Sequence, residues 1–270
     1  MNFNEKKFNL YFSVCLLAGM IILAAIDLFY DFGNKDTKIL LQIIASVGAI
    51  TGVANTVLSA NGNIWTFVFG LLDVVCCSIV YWNSGIMGEF AIHVFYFLPM
   101  QLIGWWQWRK RGASIKRHLN EEGEKETTRV HARRMTPLQF LYVIIAFLLM
   151  TVSIYLILYY IDFLKFKSGD LAYIDYKKII LDASLVSLNM LGQILMSLAY
   201  MEQWYLWNIV NVFAILLWVN QMKKPGASGY ETVMLIKYVL YLINSINGLR
   251  IWLKLSRAGE NVAQNHHNCC

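Results

Sequence analysis

Long apolar runs dominate this sequence, and their length restricts what the chain can fold into. A transmembrane helix needs about 20 mostly apolar residues, and eight runs in the 270-residue chain come close to that length. Their ranges are 10–28, 39–58, 64–82, 90–108, 138–161, 179–200, 203–220 and 232–253. Since the runs are continuous rather than alternating, we expect helices and not a strand barrel. The sequence therefore predicts an all-α membrane protein with about eight transmembrane helices.

The composition agrees with a membrane protein and argues against a soluble one. Hydrophobic residues make up 58% of the chain and charged residues 15%, whereas soluble domains have about 45–50% and about 25%. A net charge of +6 suggests nucleic acid only in a soluble protein. Here the basic residues lie in loops beside the apolar runs, so we expect the lipid bilayer as a partner and no nucleic acid. The first run follows Lys6 and Lys7 without an A-x-A cleavage pattern, so we predict a retained helix.

The longest polar stretch, 109–136, sets the predicted orientation. It carries the largest concentration of Lys and Arg in the chain, and such loops stay on the cytoplasmic side. With eight spans, both termini are then predicted to be cytoplasmic.

Spans two to four resemble spans six to eight. The fourth span ends with Gly104 and Trp108, and the eighth ends with Gly248 and Trp252, in both cases as G-x-x-x-W. One helix between the two triplets gives both triplets the same direction, so we predict a parallel 3+1+3 repeat with its substrate between the repeats. The predicted segments are an extra N-terminal helix 1–37, a first repeat 38–109, a basic loop 110–137, a linker helix 138–161, a second repeat 179–254 and a polar tail 255–270.

Amide and aromatic side chains share helical faces in both predicted repeats. A buried, unpaired amide costs roughly 2–7 kcal/mol, so these amides need either neighbouring helices or a polar ligand. Tryptophan faces attract cationic rings, and amides suit sugar hydroxyls. The pattern therefore suggests a site for a flat ring with a hydroxylated appendage. The residues on these faces are Gln101, Trp105, Trp108, Trp204, Trp207, Asn208, Asn211, Tyr241, Asn244, Asn247 and Trp252.

Two other interpretations of the same faces stay open. Aromatic residues near span ends often form an interfacial belt, which we expect for Trp65, Trp108 and Trp252. Interior amides often hold helices together.

Pro99, Gly104 and Gly248 are candidate gate or hinge residues. Proline inside a helix removes one backbone donor, so Pro99 predicts a kink that serves either transport or packing. Ionisable residues inside the membrane are functional candidates, and here they are Asp73, His93 and Arg250, with Asp27, Asp182 and Lys237 near span ends. Asp73 and His93 are the two that we consider as a pair. We expect a neutral hydrogen-bonded pair more readily than a proton relay.

No enzyme or cofactor motif appears in the chain. There is no P-loop, no HExxH and no G-x-S-x-G, so we expect neither an ATPase nor a familiar hydrolase, and no cofactor. His266, His267, Cys269 and Cys270 have metal-ligand chemistry, but they end a polar tail and we expect no metal there.

Three motifs together resemble the signature of the PnuC-type vitamin transporter family. They are Gly85-Ile-Met-Gly-Glu with the segment 93–108, Glu202-Gln-Trp-Tyr-Leu-Trp207, and the segment 241–252. The resemblance spans roughly residues 38–254 and implies a SWEET-related, often trimeric fold. It also implies facilitated uptake of nicotinamide riboside through the bacterial inner membrane, with trapping by a cytoplasmic kinase. The substrate contacts that it implies are Gln101, Trp204, Trp207, Asn208, Tyr241 and Asn244, followed by Asn211 and Asn247.

The chemistry of the riboside agrees with the residues. Its cationic ring suits tryptophan faces, and its ribose suits amides. A phosphate would need an intramembrane cluster of Lys or Arg, which the sequence does not show, so we predict that the substrate is not phosphorylated. Thiamine or riboflavin within the same family, a membrane enzyme that uses Asp73 and His93, and a scaffold without substrate remain alternatives.

Overall fold

The computed structural model is a helical bundle. The residues it describes are 3–31, 39–113, 117–119, 125–127, 129–169, 173–223 and 229–267. The helices in these ranges are α1 Phe3–Asp31, α2 Ile39–Ala60, α3 Thr66–Asn83, α4 Met87–Ile92, a π-helical segment His93–Phe97, α5 Leu98–Lys110, α6 Pro137–Ser168, α7 Tyr176–Ser197, α8 Gln203–Met222 and α9 Gly229–His267. Two short antiparallel strands, β1 Arg117–Leu119 and β2 Lys125–Thr127, form a hairpin.

Seven helices in the described ranges are long and apolar enough to cross a membrane. They are α1, α2, α3, α6, α7, α8 and α9. The predicted all-α membrane fold is therefore confirmed. The helix α6 has the most apolar window of the seven and almost none of that window is buried, so most of its surface is available to lipid.

The predicted fourth span is interrupted, which explains why seven long helices stand where we expected eight. Helices α4 and α5 continue each other through the π-helical segment. Proline has no backbone donor for the carbonyl four residues earlier, so Pro99 cannot bond to Phe95. The helix widens into a π-turn instead. The N–H of Leu98 donates to the carbonyl of His93, five residues earlier. Such π-turns inside α-helices occur often at functional sites.

The helices of the two predicted repeats pack side by side, and we call them the first trio (α2, α3 and the continuous α4–α5) and the second trio (α7, α8 and α9). In the first trio, α3 contacts α2, α4 and α5, and in the second trio α8 contacts α7 and α9. The trios meet where α2 packs against α9 and where α5 packs against α7. Helix α1 lies outside both trios against α2 and α9, and α6 packs against α7. The predicted parallel relation between the trios stays a prediction.

The last residues of the basic loop form backbone hydrogen bonds with the turns that follow α2 and α7. The N–H of Val130 donates to the carbonyl of Gly62 at 3.0 Å, and the N–H of Arg133 donates to the carbonyl of Ala199 at 2.8 Å. Both acceptors have left-handed backbone, with φ of 68° and 59°. Residues 129–135 therefore connect the same end of both trios.

Within the described ranges, no three His, Cys, Asp or Glu side chains come together as a metal site. Cys269 and Cys270 lie outside those ranges. Helix α9 extends as far as His267, well into the segment predicted as a polar tail.

Candidate functional site

Three of the predicted site residues are buried and keep a polar atom without a partner. Gln101 on α5 is 4% exposed, Trp204 on α8 is 3% exposed and Asn244 on α9 is 1% exposed. Their Oε1, Nε1 and Nδ2 atoms make no hydrogen bond. Because an unpaired buried polar group is costly, each of these three atoms is a candidate to bond a polar ligand.

The rings of Trp204 and Trp207 pack against glycines of neighbouring helices in the second trio. The distance from the Trp204 ring to a Cβ built on Gly248 would be only 2.6 Å, so a side chain at this position would displace the ring. A Cβ on Gly192 would lie 3.3 Å from the ring of Trp207. Each indole therefore packs directly against the backbone of a neighbouring helix.

Asn208 is held by two hydrogen bonds. Its Nδ2 donates to the carbonyl of Trp204 at 2.8 Å, one turn earlier on α8. Its Oδ1 accepts a hydrogen bond from the hydroxyl of Ser245 on α9 at 2.7 Å. We did not predict Ser245 from the sequence, although its position directly after Asn244 is a signal that we could have used.

Gln101, from the first trio, also packs closely against a glycine of a neighbouring helix. The side chain lies over Gly70 of α3, where a Cβ would stand 2.5 Å from its Oε1 and 3.3 Å from Asn55 Cγ. Thr66 donates its hydroxyl to Asn55 Oδ1 at 2.5 Å. The Oε1 atom of Gln101, which has no hydrogen-bond partner, therefore lies in a polar patch formed by α2, α3 and α5.

Tyr241 connects the second trio to Asp73 of the first. Its hydroxyl donates to Asp73 Oδ2 at 2.9 Å. The other carboxylate oxygen of Asp73 accepts a hydrogen bond from Lys237 Nζ at 2.5 Å. The expected pairing of Asp73 with His93 is therefore wrong. His93 Nδ1 instead lies 2.8 Å from the carbonyl oxygen of Glu89 in its own helix.

Lys237 was not among the predicted site residues. It lies inside the span of α9, one turn before Tyr241, and this i, i+4 spacing was the available signal.

Two predicted contacts remain, and of these Asn247 lies apart from this set. Asn211 is buried on α8, two turns from Trp204. Asn247 Oδ1 accepts hydrogen bonds from Arg250 Nε at 3.1 Å and Nη2 at 2.9 Å. Arg250 also donates to Asn9 of α1, so Asn247 faces the outer helix α1 and is not brought together with Asn244.

Aromatic rings from α3, α5, α8 and α9 pack together near the end of α5 and near the end of the membrane span of α9. The rings of Trp108 and Trp252 have centroids 5.8 Å apart, Phe67 meets Trp108 at 5.0 Å and Trp204 meets Trp252 at 6.2 Å. Trp108 and Trp252 are both 0% exposed, so the expected interfacial belt is wrong for these two residues. Trp65, at 38% exposed, is the one of the three that keeps an open surface.

The candidate hinges have distinct surroundings. Gly104 lies against the ring of Phe67 and Gly248 against the ring of Trp204, in both cases closer than a Cβ would allow. Pro99 follows the π-helical segment on an exposed face of α5. A role for these three residues in gating stays a prediction.

Known transporters are similar to this chain in sequence and in fold. A family model described as nicotinamide mononucleotide transporter matches residues 42–254. The nicotinamide riboside transporter PnuC of Neisseria mucosa is 32% identical over 78% of this chain and 72% of its own length. Its counterpart in Haemophilus influenzae is 27% identical over 78% of this chain and 80% of its own length.

A solved structure agrees with these relatives. The crystal structure of the vitamin B3 transporter PnuC superimposes with a TM-score of 0.70 and 28% identity, over 96% of this chain and 100% of that one. The resemblance to PnuC-type transporters is therefore confirmed, and with it the expectation of a transporter rather than an enzyme. Sequence and fold together show that this chain belongs to the nicotinamide mononucleotide transporter family of multi-pass membrane proteins.

Proposed function

We propose that this protein carries nicotinamide riboside across the bacterial inner membrane by alternating access, without coupling to an ion gradient. A cytoplasmic kinase then traps the riboside by phosphorylation. The names of the Neisseria and Haemophilus relatives point to this substrate. The proposed contacts are Gln101, Trp204, Trp207, Asn208, Asn211, Tyr241 and Asn244.

The unpaired atoms of Gln101, Trp204 and Asn244 are the observation that carries the proposal. They supply one acceptor and two donors, which are the groups that ribose hydroxyls and a carboxamide require. Indole faces of Trp204 and Trp207 beside them suit the cationic ring, and each such contact is worth roughly 0.5–2 kcal/mol.

A riboside fits better than the mononucleotide after which the family model is described. A phosphate dianion needs cations that are free to pair with it. Lys237 is buried in the bundle, but its ammonium group already bonds to Asp73 and Cys77. Binding of a phosphate there would leave the Asp73 carboxylate without its partner.

We further propose that both termini face the cytoplasm and that three copies associate. The concentration of Lys and Arg in the basic loop supports the orientation, and the resemblance to the family supports the trimer. Cross-linking in membranes and protease access to sealed vesicles test these two points separately.

A binding titration on the purified protein tests the substrate. We expect nicotinamide riboside to bind more tightly than thiamine, riboflavin and nicotinamide mononucleotide, and to raise thermal stability. At 100 times its Kd a ligand adds about 2.7 kcal/mol. Tight binding of the mononucleotide, or a stronger response to thiamine, would contradict the proposal.

Matched variants locate the site. Trp204→Ala and Asn244→Ala should weaken binding by tenfold or more, since tenfold corresponds to about 1.4 kcal/mol. Trp106→Ala and Asn83→Ala remove the same side-chain types from exposed faces and should leave the Kd unchanged.

Uptake into proteoliposomes tests the absence of coupling. A carrier that is not coupled moves its substrate down the substrate's own gradient. Uptake that collapses when an imposed proton gradient is removed would contradict this part of the proposal.

A further inference from the structure

A buried ion pair joins the two trios beside the proposed site. Asp73 of α3 is 8% exposed and Lys237 of α9 is 1% exposed, and 164 residues separate them along the chain. Lys237 Nζ lies 2.5 Å from Asp73 Oδ1 and 2.8 Å from Cys77 Sγ. The thiol of Cys77 also donates to the same carboxylate oxygen at 3.1 Å.

Stability alone does not account for this pair. Desolvation of two charges often exceeds their attraction, and apolar residues of similar size frequently serve as well. Ionisable groups inside a membrane span are functional candidates by default.

The second carboxylate oxygen of Asp73 shows what the pair holds in place. It accepts the hydroxyl of Tyr241 at 2.9 Å, while Lys237 and Cys77 occupy the first oxygen. Gly52 of α2 makes room for this contact, because a Cβ there would overlap the Tyr241 hydroxyl and lie 2.8 Å from Asp73 Cγ. Three helices are thus arranged around one Tyr–Asp hydrogen bond.

We propose that Asp73 is a positioning residue for substrate binding and that Lys237 compensates its buried charge. The carboxylate oxygen that Lys237 does not bond accepts the Tyr241 hydroxyl, and this bond fixes the orientation of the Tyr241 ring. The inference rests on the proposed function, in which Tyr241 contacts the riboside.

Two double variants separate positioning from charge. Asp73→Asn/Lys237→Met removes both charges but keeps an acceptor for the Tyr241 hydroxyl. Asp73→Leu/Lys237→Met removes both charges and the acceptor, with a side chain of similar shape. Neither variant leaves an unpaired buried charge, which is what makes a single substitution prone to misfolding. Thermal unfolding of each purified protein checks that both fold.

Titration with nicotinamide riboside gives the first readout. We expect the asparagine variant to bind within about threefold of the wild type and the leucine variant to bind about tenfold more weakly. Added to Tyr241→Phe, the leucine substitution should cause no further loss, because the hydroxyl it acts through is already gone. Equal affinities in the two double variants, or a full additional loss in the Tyr241→Phe background, would overturn the proposal.

A crystal structure of each ligand-free double variant gives a second readout that does not depend on the substrate. The Tyr241 ring should keep its place in Asp73→Asn/Lys237→Met and rotate away in Asp73→Leu/Lys237→Met. A ring that stays in place in both proteins overturns the positioning role even if riboside binds. A wild-type protein that fails to bind riboside counts against the proposed function and leaves this structural readout valid.

Discussion

Trp108 and Trp252 lie ring to ring at the meeting point of the two trios, and each donates its indole N–H to the other trio. Trp108 Nε1 bonds to the carbonyl of Met196, at the end of α7, at 2.8 Å. Trp252 Nε1 bonds to the carbonyl of Ser59, at the end of α2, at 3.1 Å. The Met196 carbonyl also accepts the N–H of Ala199, and the Ser59 carbonyl also accepts the N–H of Gly62. Each tryptophan therefore adds a second hydrogen bond at a helix end of the opposite trio.

Removal of either indole donor should destabilise the bundle. Trp108→Phe or Trp252→Phe keeps an aromatic ring but removes one buried hydrogen bond between the trios, which is worth about 0.5–1.5 kcal/mol. Thermal unfolding of the purified protein measures the loss. Trp106→Phe, on the exposed face of the same helix α5, is the control and should unfold like the wild type. Equal shifts at positions 106 and 108 would show that ring size, and not the hydrogen bond, matters.

Alanine at the two packed glycines should separate substrate binding from packing. Gly248→Ala pushes the Trp204 ring, whereas Gly104→Ala pushes the ring of Phe67. Both substitutions should lower stability by about 1–3 kcal/mol, the usual cost of overpacking. Only Gly248→Ala should weaken riboside binding by tenfold or more, because Trp204 belongs to the proposed site. Comparable Kd values for the two variants would remove Trp204 from it.

Ser245→Ala should weaken binding without changing the fold. In the wild type, Asn208 Oδ1 accepts the Ser245 hydroxyl, so the substitution removes one of the two hydrogen bonds that hold the Asn208 amide. A net hydrogen bond is worth about 0.5–1.5 kcal/mol, and we expect a threefold to tenfold rise in the Kd for riboside. Ser153→Ala serves as the matched control, since that hydroxyl bonds only within the exposed helix α6. A Kd that does not change in Ser245→Ala would show that Asn208 needs no support from α9.

Ala199→Gly should cost little stability, unlike most such changes. Ala199 has a φ of 59°, a left-handed backbone that costs a non-glycine residue about 1–2 kcal/mol. Relief of that strain offsets both the extra freedom that glycine gives the unfolded chain, about 0.4–1 kcal/mol, and the loss of a buried methyl group, about 0.8 kcal/mol. We therefore expect thermal unfolding close to that of the wild type.

The same substitution elsewhere supplies the control for Ala199→Gly. Ala146→Gly, inside helix α6, should lower stability by about 0.5–1 kcal/mol. A loss at position 199 as large as the loss at position 146 would contradict the assignment of strain to Ala199.

The hydropathy of the chain was enough to predict the all-α membrane fold and most of the spans. A run of about 20 apolar residues has few alternatives to a transmembrane helix. The motifs around Gln101, Trp204 and Asn244 also led to the right family. Local sequence rules account for the interruption at Pro99, since a missing backbone donor affects only its own helix.

What the sequence left open was the partner of each buried group. In a membrane, lipid and protein core are almost equally apolar. A helical face of tryptophans therefore has the same sequence pattern whether it contacts lipid or another helix. For that reason Trp108 and Trp252 were assigned to a belt, although the packing of the trios buries both completely. The pairing of Asp73 with Lys237 likewise depends on α3 and α9 lying together, and only the tertiary structure brings residues so distant in sequence within one ion pair.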